Sequence, residues 1–263
     1  MKIVLVGAGN LACSLGRALF EAGNDILQVY SRTCQAASAL ADALDASPVT
    51  EIDRISADAD VYIVAVKDSV MADIVPSLCH GKEGKVFLHT SGSVAASVFE
   101  GRSLHYGVLY PMQTFSKSKP LAFKDVPCFI EGSDEFALET VSKLAHSLSD
   151  SVFRLDSEAR KHLHLAAVFA CNFANHCYEI SSEILAKYGI PFEVMLPLID
   201  ETARKVHVMR PYEAQTGPAV RYDRNVIGMQ AGLLEDNLFF RKVYESMSDS
   251  IHHVAQKEID HRI

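Results

Sequence analysis

The chain has 263 residues, is 49% hydrophobic and 22% charged, and carries a formal net charge of −8. That composition builds one large or two ordinary globular domains and excludes wholesale disorder. An acidic chain is also a poor nucleic-acid binder, because phosphate contacts need a basic surface.

The chain opens MKIVLVGAGN. The apolar run Lys2–Val6 breaks at Gly7 with no small-residue cleavage site after it, so it predicts a buried first strand rather than a signal peptide. A helical pattern follows through Leu11, Leu15, Ala18 and Leu19 and ends at Gly23 and Asn24. Ile26–Tyr30 predicts a second strand, Ala36–Leu44 a helix, Val61–Val66 a buried strand, Val70–Leu78 a helix and Lys85–His89 a strand. His105–Leu109 and Val126–Glu131 are two further strands, Phe136–Leu148 a helix, and Val152–Leu155 closes the series. Continuous apolar strands alternating with helices predict an α/β fold, a Rossmann-like, mostly parallel sheet with helices on both faces.

From Asp156 the pattern is all-α. Ser157–Tyr188 reads as one long helix ended by Gly189, with Pro191 opening the next. Glu193–Met209 continues helically, Arg210–Asn225 is turn-rich, and two more helical patterns approach the C-terminus. The expected division lies near Leu155, between an α/β domain (1–155) and a helical domain (156–263). The longest apolar stretch, near Leu165–Ala170, is far short of the ~20 residues that span a bilayer. The six cysteines form no C-x-x-C pair and no zinc spacing. The expectation is a reduced cytoplasmic protein with no metal site.

Gly7-Ala8-Gly9-Asn10-Leu11-Ala12 lies between the first strand and its helix. This G-x-G-x-x-A turn is a variant of the dinucleotide fingerprint, in the strand–turn–helix context that the motif requires. Gly7 makes the turn, Gly9 lets a pyrophosphate approach the backbone, and the helix N-terminus supplies N–H donors. The second strand ends Val29-Tyr30-Ser31-Arg32-Thr33, with no acidic residue between Asp25 and Asp42 to hold a ribose 2′-OH. Ser31, Arg32 and Thr33 suit a 2′-phosphate instead, which selects NADP over NAD.

On the long helix, Lys161, His164, Asn172, Asn175 and Glu179 fall in one arc at 100° per residue, with only Val168 apolar among them. The stretch around Leu165–Ala174 is apolar nearly all round and is expected to be buried. Asn172 and Asn175 therefore point to a polar cleft, a ligand or another chain, the plainer alternative being hydrogen bonds between helices. Hydride transfer to a carbonyl or imine needs a proton donor. His164 is the first candidate, Lys161 the second, and Asn172 would orient the substrate.

The motifs Gly7–Ala12, His89-Thr90-Ser91-Gly92-Ser93, Tyr110-Pro111-Met112-Gln113-Thr114-Phe115, Leu165–Asn172 and Gln215-Thr216-Gly217-Pro218-Ala219-Val220-Arg221 occur together. In these the chain resembles the two-domain NADP oxidoreductases with a Rossmann-like first domain and a C-terminal domain of unknown function. It is more distantly similar to pyrroline-5-carboxylate reductase, 6-phosphogluconate dehydrogenase and the deazaflavin-dependent NADP oxidoreductases. The resemblance implies a small-molecule substrate between the domains and a homodimer through the helical domain. It also implies that Ala65, Val66, Lys67 and Asp68 approach the nicotinamide and that Ser91 and Gly92 line the substrate cleft. One departure is clear. The Lys and following Asn of the related hydroxyacid dehydrogenases are absent, since Leu165 stands four residues after Lys161 and Val168 four after His164.

His89 and Ser91 lack a carboxylate orienter and read as substrate contact rather than a nucleophile pair. Gln113 with Thr114 reads as a substrate contact or a turn cap, and His105 as structural. Arg221 and Asp223 read as a substrate contact or an ion pair. A non-catalytic NADP-binding sensor is the competing expectation to the oxidoreductase.

Overall fold

The computed structural model describes residues 1–116 and 121–260, with side chains to 257. Contacts divide the chain into two compact units, Met1–Phe169 and Ala170–Ile263.

The first unit is built on eight strands: β1 (Lys2–Val6), β2 (Asp25–Tyr30), β3 (Ser47–Val49), β4 (Val61–Val64), β5 (Val86–His89), β6 (His105–Pro111), β7 (Cys128–Gly132) and β8 (Val152–Arg154). Their order is β3-β2-β1-β4-β5-β6-β7-β8, and every neighbouring pair is parallel except β6 with β7. This is the expected Rossmann-like sheet. Its helices are α1 (Asn10–Glu21), α2 (Cys34–Asp42), α3 (Asp68–Cys79) and α4 (Glu135–Leu148). β1 shows why both faces are covered. Ile3 and Leu5 pack with Leu15, Leu19 and Leu44 on one side, while Val4 and Val6 pack with Met71, Val75 and Phe87 on the other. Period-two side chains that are apolar at every position must bury both faces. Cys79 and Cys128 are interior residues, and burial pushes their thiols up to about 12 and about 11, which keeps them protonated and unreactive.

After β8 comes α5 (Ser157–Ala167), then a π-helical segment, Val168–Phe173, and α6 (Ala174–Ala186). The sequence predicts one uninterrupted helix here. The wider π turns change the pitch, so the constant 100° per residue on which the polar arc was drawn does not hold through Val168–Phe173. The expected burial of Leu165–Ala174 is also corrected. In one copy of the chain Leu165 is 55% and Phe169 62% exposed, and Asn172 and Asn175 are exposed as well. α5 groups by contact with the sheet, so the division by contact falls later than Leu155.

The second unit continues with α7 (Leu196–Val208), α8 (Pro211–Ala214), α9 (Pro218–Arg221), α10 (Arg224–Gly232) and α11 (Leu238–Asp260). The turn-rich stretch thus holds two short helices, each opened by a proline at its first position, where the missing N–H costs nothing. Asp223 caps α10 by accepting from the Val226 N–H at 3.3 Å, and no ion pair joins it to Arg221 among the described residues.

Candidate functional site

Strand order reverses at β1, which lies between β2 and β4. The loops leaving the carboxyl ends of β1 and β4 part there, and such a switch point leaves a crevice. A cleft of about 250 Å³ occupies it, lined by Gly7–Gly9, Tyr30–Arg32 and Ala65–Lys67, with Val70 and Ile74 of α3. Of the residues expected to bind cofactor, Gly7, Ala8, Gly9, Ser31, Arg32, Val66 and Lys67 are brought together here. Asn10, Leu11 and Thr33 are not among the lining residues. Ala65, expected beside the nicotinamide, lines the cleft and Asp68 does not. Tyr30, Val70 and Ile74 were not expected, and the apolar end of β2 and the apolar pair Val70 and Ile74, one turn apart on α3, are the signals that could have found them.

Gly7 has φ +128°, and a Cβ there would stand 2.3 Å from the Ala65 carbonyl oxygen. Its N–H donates to Tyr30 O at 2.8 Å, while the Ala65 N–H donates to Val6 O at 2.8 Å, so three strand ends are tied around the turn. A Cβ on Gly9 would meet nothing within 4 Å, so the backbone beside it stands open. The helices of the first unit differ in how they begin. Asp134 and Asp156 cap α4 and α5, each accepting an N–H at 2.8 Å, but α1 and α2 have no side-chain cap and no acid in their first turns. Their N–H groups remain for an outside acceptor. Arg32 is exposed and forms no ion pair among the described residues. Bare backbone, uncapped helix ends and a free guanidinium fit a phosphorylated dinucleotide.

A second cluster forms where β5, β6 and α5 meet. Tyr110, 7% exposed at the end of β6, places its hydroxyl 3.0 Å from His164 Nδ1, with the rings edge-to-face at 6.0 Å. Gly92, in the loop after β5, lies directly against the same imidazole. A Cβ on Gly92 would fall 2.6 Å from His164 Cγ and 2.7 Å from Nδ1. Leu163 packs on Ala96, Val108 and Tyr110 and seats this part of α5. Burial holds the Tyr110 phenol above its usual range, against the opposing pull of the Arg160 cation. A phenol both donates and accepts, so it can hold the imidazole in either charge state.

The remaining candidates are engaged elsewhere. Lys161 Nζ is paired with Glu158 at 2.6 Å, and His162 Nδ1 lies 2.9 Å from the Glu158 carbonyl. Gln113 is exposed and accepts from the N–H and the hydroxyl of its neighbour Thr114 at 2.8 and 3.3 Å. Ser91 Oγ accepts from the N–H groups of Ser93 and Val94 at 3.1 and 3.0 Å. His89 is fully buried and accepts from the Ser91 N–H through Nδ1; burial and then the Arg160 cation push it down to about 3, so it stays neutral. His105 holds Asp134 at 2.8 Å, a structural pairing. Tyr110 was read only as part of a motif, and its role appears when β6 and α5, 54 residues apart in sequence, come together. Among the described residues no group of three His, Cys, Asp or Glu could hold a metal, and no helix is long and apolar enough to cross a membrane.

Comparison with known proteins agrees with this layout. Residues 2–92 match the family model for NADP oxidoreductase, coenzyme F420-dependent, and residues 126–251 match the domain of unknown function DUF2520. A crystal structure of a putative NADP oxidoreductase from Bacteroides fragilis is 50% identical, covers 96% of this chain and 98% of its own, and superposes with a TM-score of 0.91. A protein from Thermotoga maritima is 25% identical over 97% of this chain and 99% of its own, with a TM-score of 0.79. An imine reductase from Myxococcus stipitatus, in complex with NADP+, shares the fold at 15% identity, covering 99% of this chain and 94% of its own, with a TM-score of 0.68. No curated protein matches the chain.

Proposed function

The chain belongs to the two-domain family of its Bacteroides fragilis relative, an NADP oxidoreductase module followed by the DUF2520 domain, and we propose that it is an NADP(H)-dependent reductase or dehydrogenase of a small carbonyl, imine or hydroxy compound. The observation that carries this reading is the switch-point cleft, where Gly7 and Gly9 expose backbone alongside the unpaired Arg32. Bound there, the nicotinamide supplies or accepts the hydride. Arg32 and Ser31 hold the 2′-phosphate, and the uncapped start of α1 faces the pyrophosphate. Val66 and Lys67 flank the nicotinamide half.

His164 gives the proton that balances the hydride, through the ring edge that Tyr110 leaves free, and it takes one back in the oxidation direction. Ser91 and Gly92 contact the substrate. The helical part, from 156 onward, serves substrate binding and dimerisation, with Asn172 and Asn175 as its polar contacts. Lys161 is the lesser candidate because Glu158 holds it.

Calorimetry tests the cofactor assignment. NADPH is expected to bind more tightly than NADH, and Arg32→Ala to weaken NADPH by roughly 10–100-fold, the worth of a charge-assisted phosphate contact, with NADH unchanged. Equal loss for both cofactors would remove Arg32 as the selector. NADPH oxidation over small imines, keto acids and aldehydes then finds the substrate, and a His164→Ala control ties turnover to the site.

A homodimer is the second part of the proposal. In one copy Tyr188 is 74%, Leu233 71%, Val208 80% and Phe239 80% exposed, whereas Ala219, Ala231, Leu234 and Ala255 are the buried apolar residues described in the second unit. Exposed large apolar side chains in this number support an interface between copies. Sedimentation equilibrium at micromolar concentration is expected to return twice the chain mass; a monomer mass would refute the dimer.

A further inference from the structure

Arg160 heads the fully buried side chains by volume, although it stands in the first turns of a helix that reads SEARKHLH. Its Nη1 pairs with Glu131 of β7, and its Nη2 donates to the Val94 carbonyl at 2.6 Å and to Ser157 Oγ at 3.2 Å. Ser157 donates to the same Glu131 carboxylate and accepts from the Ala96 N–H at 3.0 Å. Glu131, Ser157 and Arg160 thus tie α5 to β7 and to two points of the loop that follows β5.

A buried ion pair is rarely more stabilising than apolar side chains of the same volume, so stability alone gives little reason for this one. Its distinguishing property is geometric. A planar guanidinium with several fixed donors holds separate elements in one arrangement. The loop it holds is the one on which His164 rests. At its near end His89 Nδ1 accepts from Ser91, and Ser91 Oγ accepts from Ser93 and Val94. At its far end Arg160 and Ser157 take Val94 and Ala96. Gly92 lies between these ties, and the imidazole packs on its bare Cα. Arg160 and His164 are four residues apart on one helix, and so share a face.

We propose that Arg160, together with Glu131 and Ser157, is a positioning group for His164, locking α5 to the 89–96 loop so that the imidazole stays against Gly92 and bonded to Tyr110. Its bearing on turnover rests on His164 being the proton donor, but the coupling itself is measurable without a substrate. The test uses the full chain with 15N-labelled histidine and NADPH as the only ligand, and His164 is assigned from His164→Ala. Arg160→Lys keeps the charge and loses the fork; Glu131→Gln keeps the shape and loses the pair.

In both variants the His164 ring nitrogens are expected to move from their wild-type positions toward those of Tyr110→Phe, where the Nδ1 bond is gone. NADPH affinity is expected to stay within about twofold, because the cofactor cleft shares no residue with the network. A purely structural arginine would lower the melting temperature and leave these resonances in place. Wild-type ring signals in the folded variants would overturn the proposal and leave the donor role of His164 to be judged by turnover. Conversely, full turnover in His164→Ala would remove the donor role and leave the coupling standing. Should either variant fail to fold, Ser157→Ala, which removes one hydroxyl, decides by the same spectrum.

Discussion

Replacing Gly7 with alanine is expected to destabilise the protein by about 3–5 kcal/mol, lowering the melting temperature by roughly 10 °C, and to abolish measurable NADPH binding. Two independent costs combine. At φ +128° an L side chain is strained, which costs of order 1–3 kcal/mol. The added Cβ would also sit 2.3 Å from the Ala65 carbonyl oxygen, a backbone atom held in place because the Ala65 N–H bonds to Val6. No rotamer change relieves a clash with backbone, so the turn itself must move, and overpacking of this kind typically costs about 1–3 kcal/mol. The turn is the floor of the cofactor cleft, so its displacement removes the bare backbone near Gly9. Thermal unfolding and NADPH titration of the variant check this together. A wild-type melting temperature with wild-type affinity would mean that the turn does not have this conformation.

The second large effect belongs to the contact of Gly92 with His164. Removing the imidazole in His164→Ala is expected to lower kcat by about 10²–10⁴-fold, the usual worth of a positioned proton donor, with NADPH affinity unchanged. Gly92→Ala is expected to approach about 100-fold by a different route, since the new Cβ displaces the ring by the ångström that costs a positioned group this much. The two must be strongly non-additive. In wild type, Gly92→Ala should cost about 1–3 kcal/mol of stability through overpacking. In the His164→Ala background the ring atoms at 2.6 and 2.7 Å are gone while the retained Cβ stands at 2.9 Å, so the cost should fall well below its wild-type value without vanishing. Chemical denaturation of the four proteins measures this coupling without knowledge of the substrate. Additive losses would show that Gly92 and His164 are not in contact.

Much of the cofactor site was legible along the chain because its parts are local. A continuous apolar run, a glycine turn and the start of a helix lie within the first twelve residues, and Ser31-Arg32 follows the next strand. The strand β3 was missed for a physical reason. Ser47–Val49 is three residues long and contains a proline, tolerated because the strand lies at the sheet edge. The long helix was read at a constant 100° per residue, and no feature of Val168–Phe173 marked the π turns that alter its phase. Its burial was misjudged because apolarity on all sides is a property of local composition, whereas burial depends on which other elements pack against the helix.

What the sequence by itself determined is the mostly parallel Rossmann-like sheet, the glycine turn at its first crossover, and an arginine rather than an acid at the end of the second strand. These follow from periodicity, from the conformational freedom of Gly7 and from charge, all properties of neighbouring residues. The tertiary structure alone decided which polar groups act together. Tyr110 reaches His164 across 54 positions, and Glu131 meets Arg160 across 29. An arginine that reads as a solvated helix charge is interior because a carboxylate from another strand and the Val94 carbonyl satisfy it there. Burial of a polar side chain depends on partners brought from a distance, and helical or strand period carries no record of them.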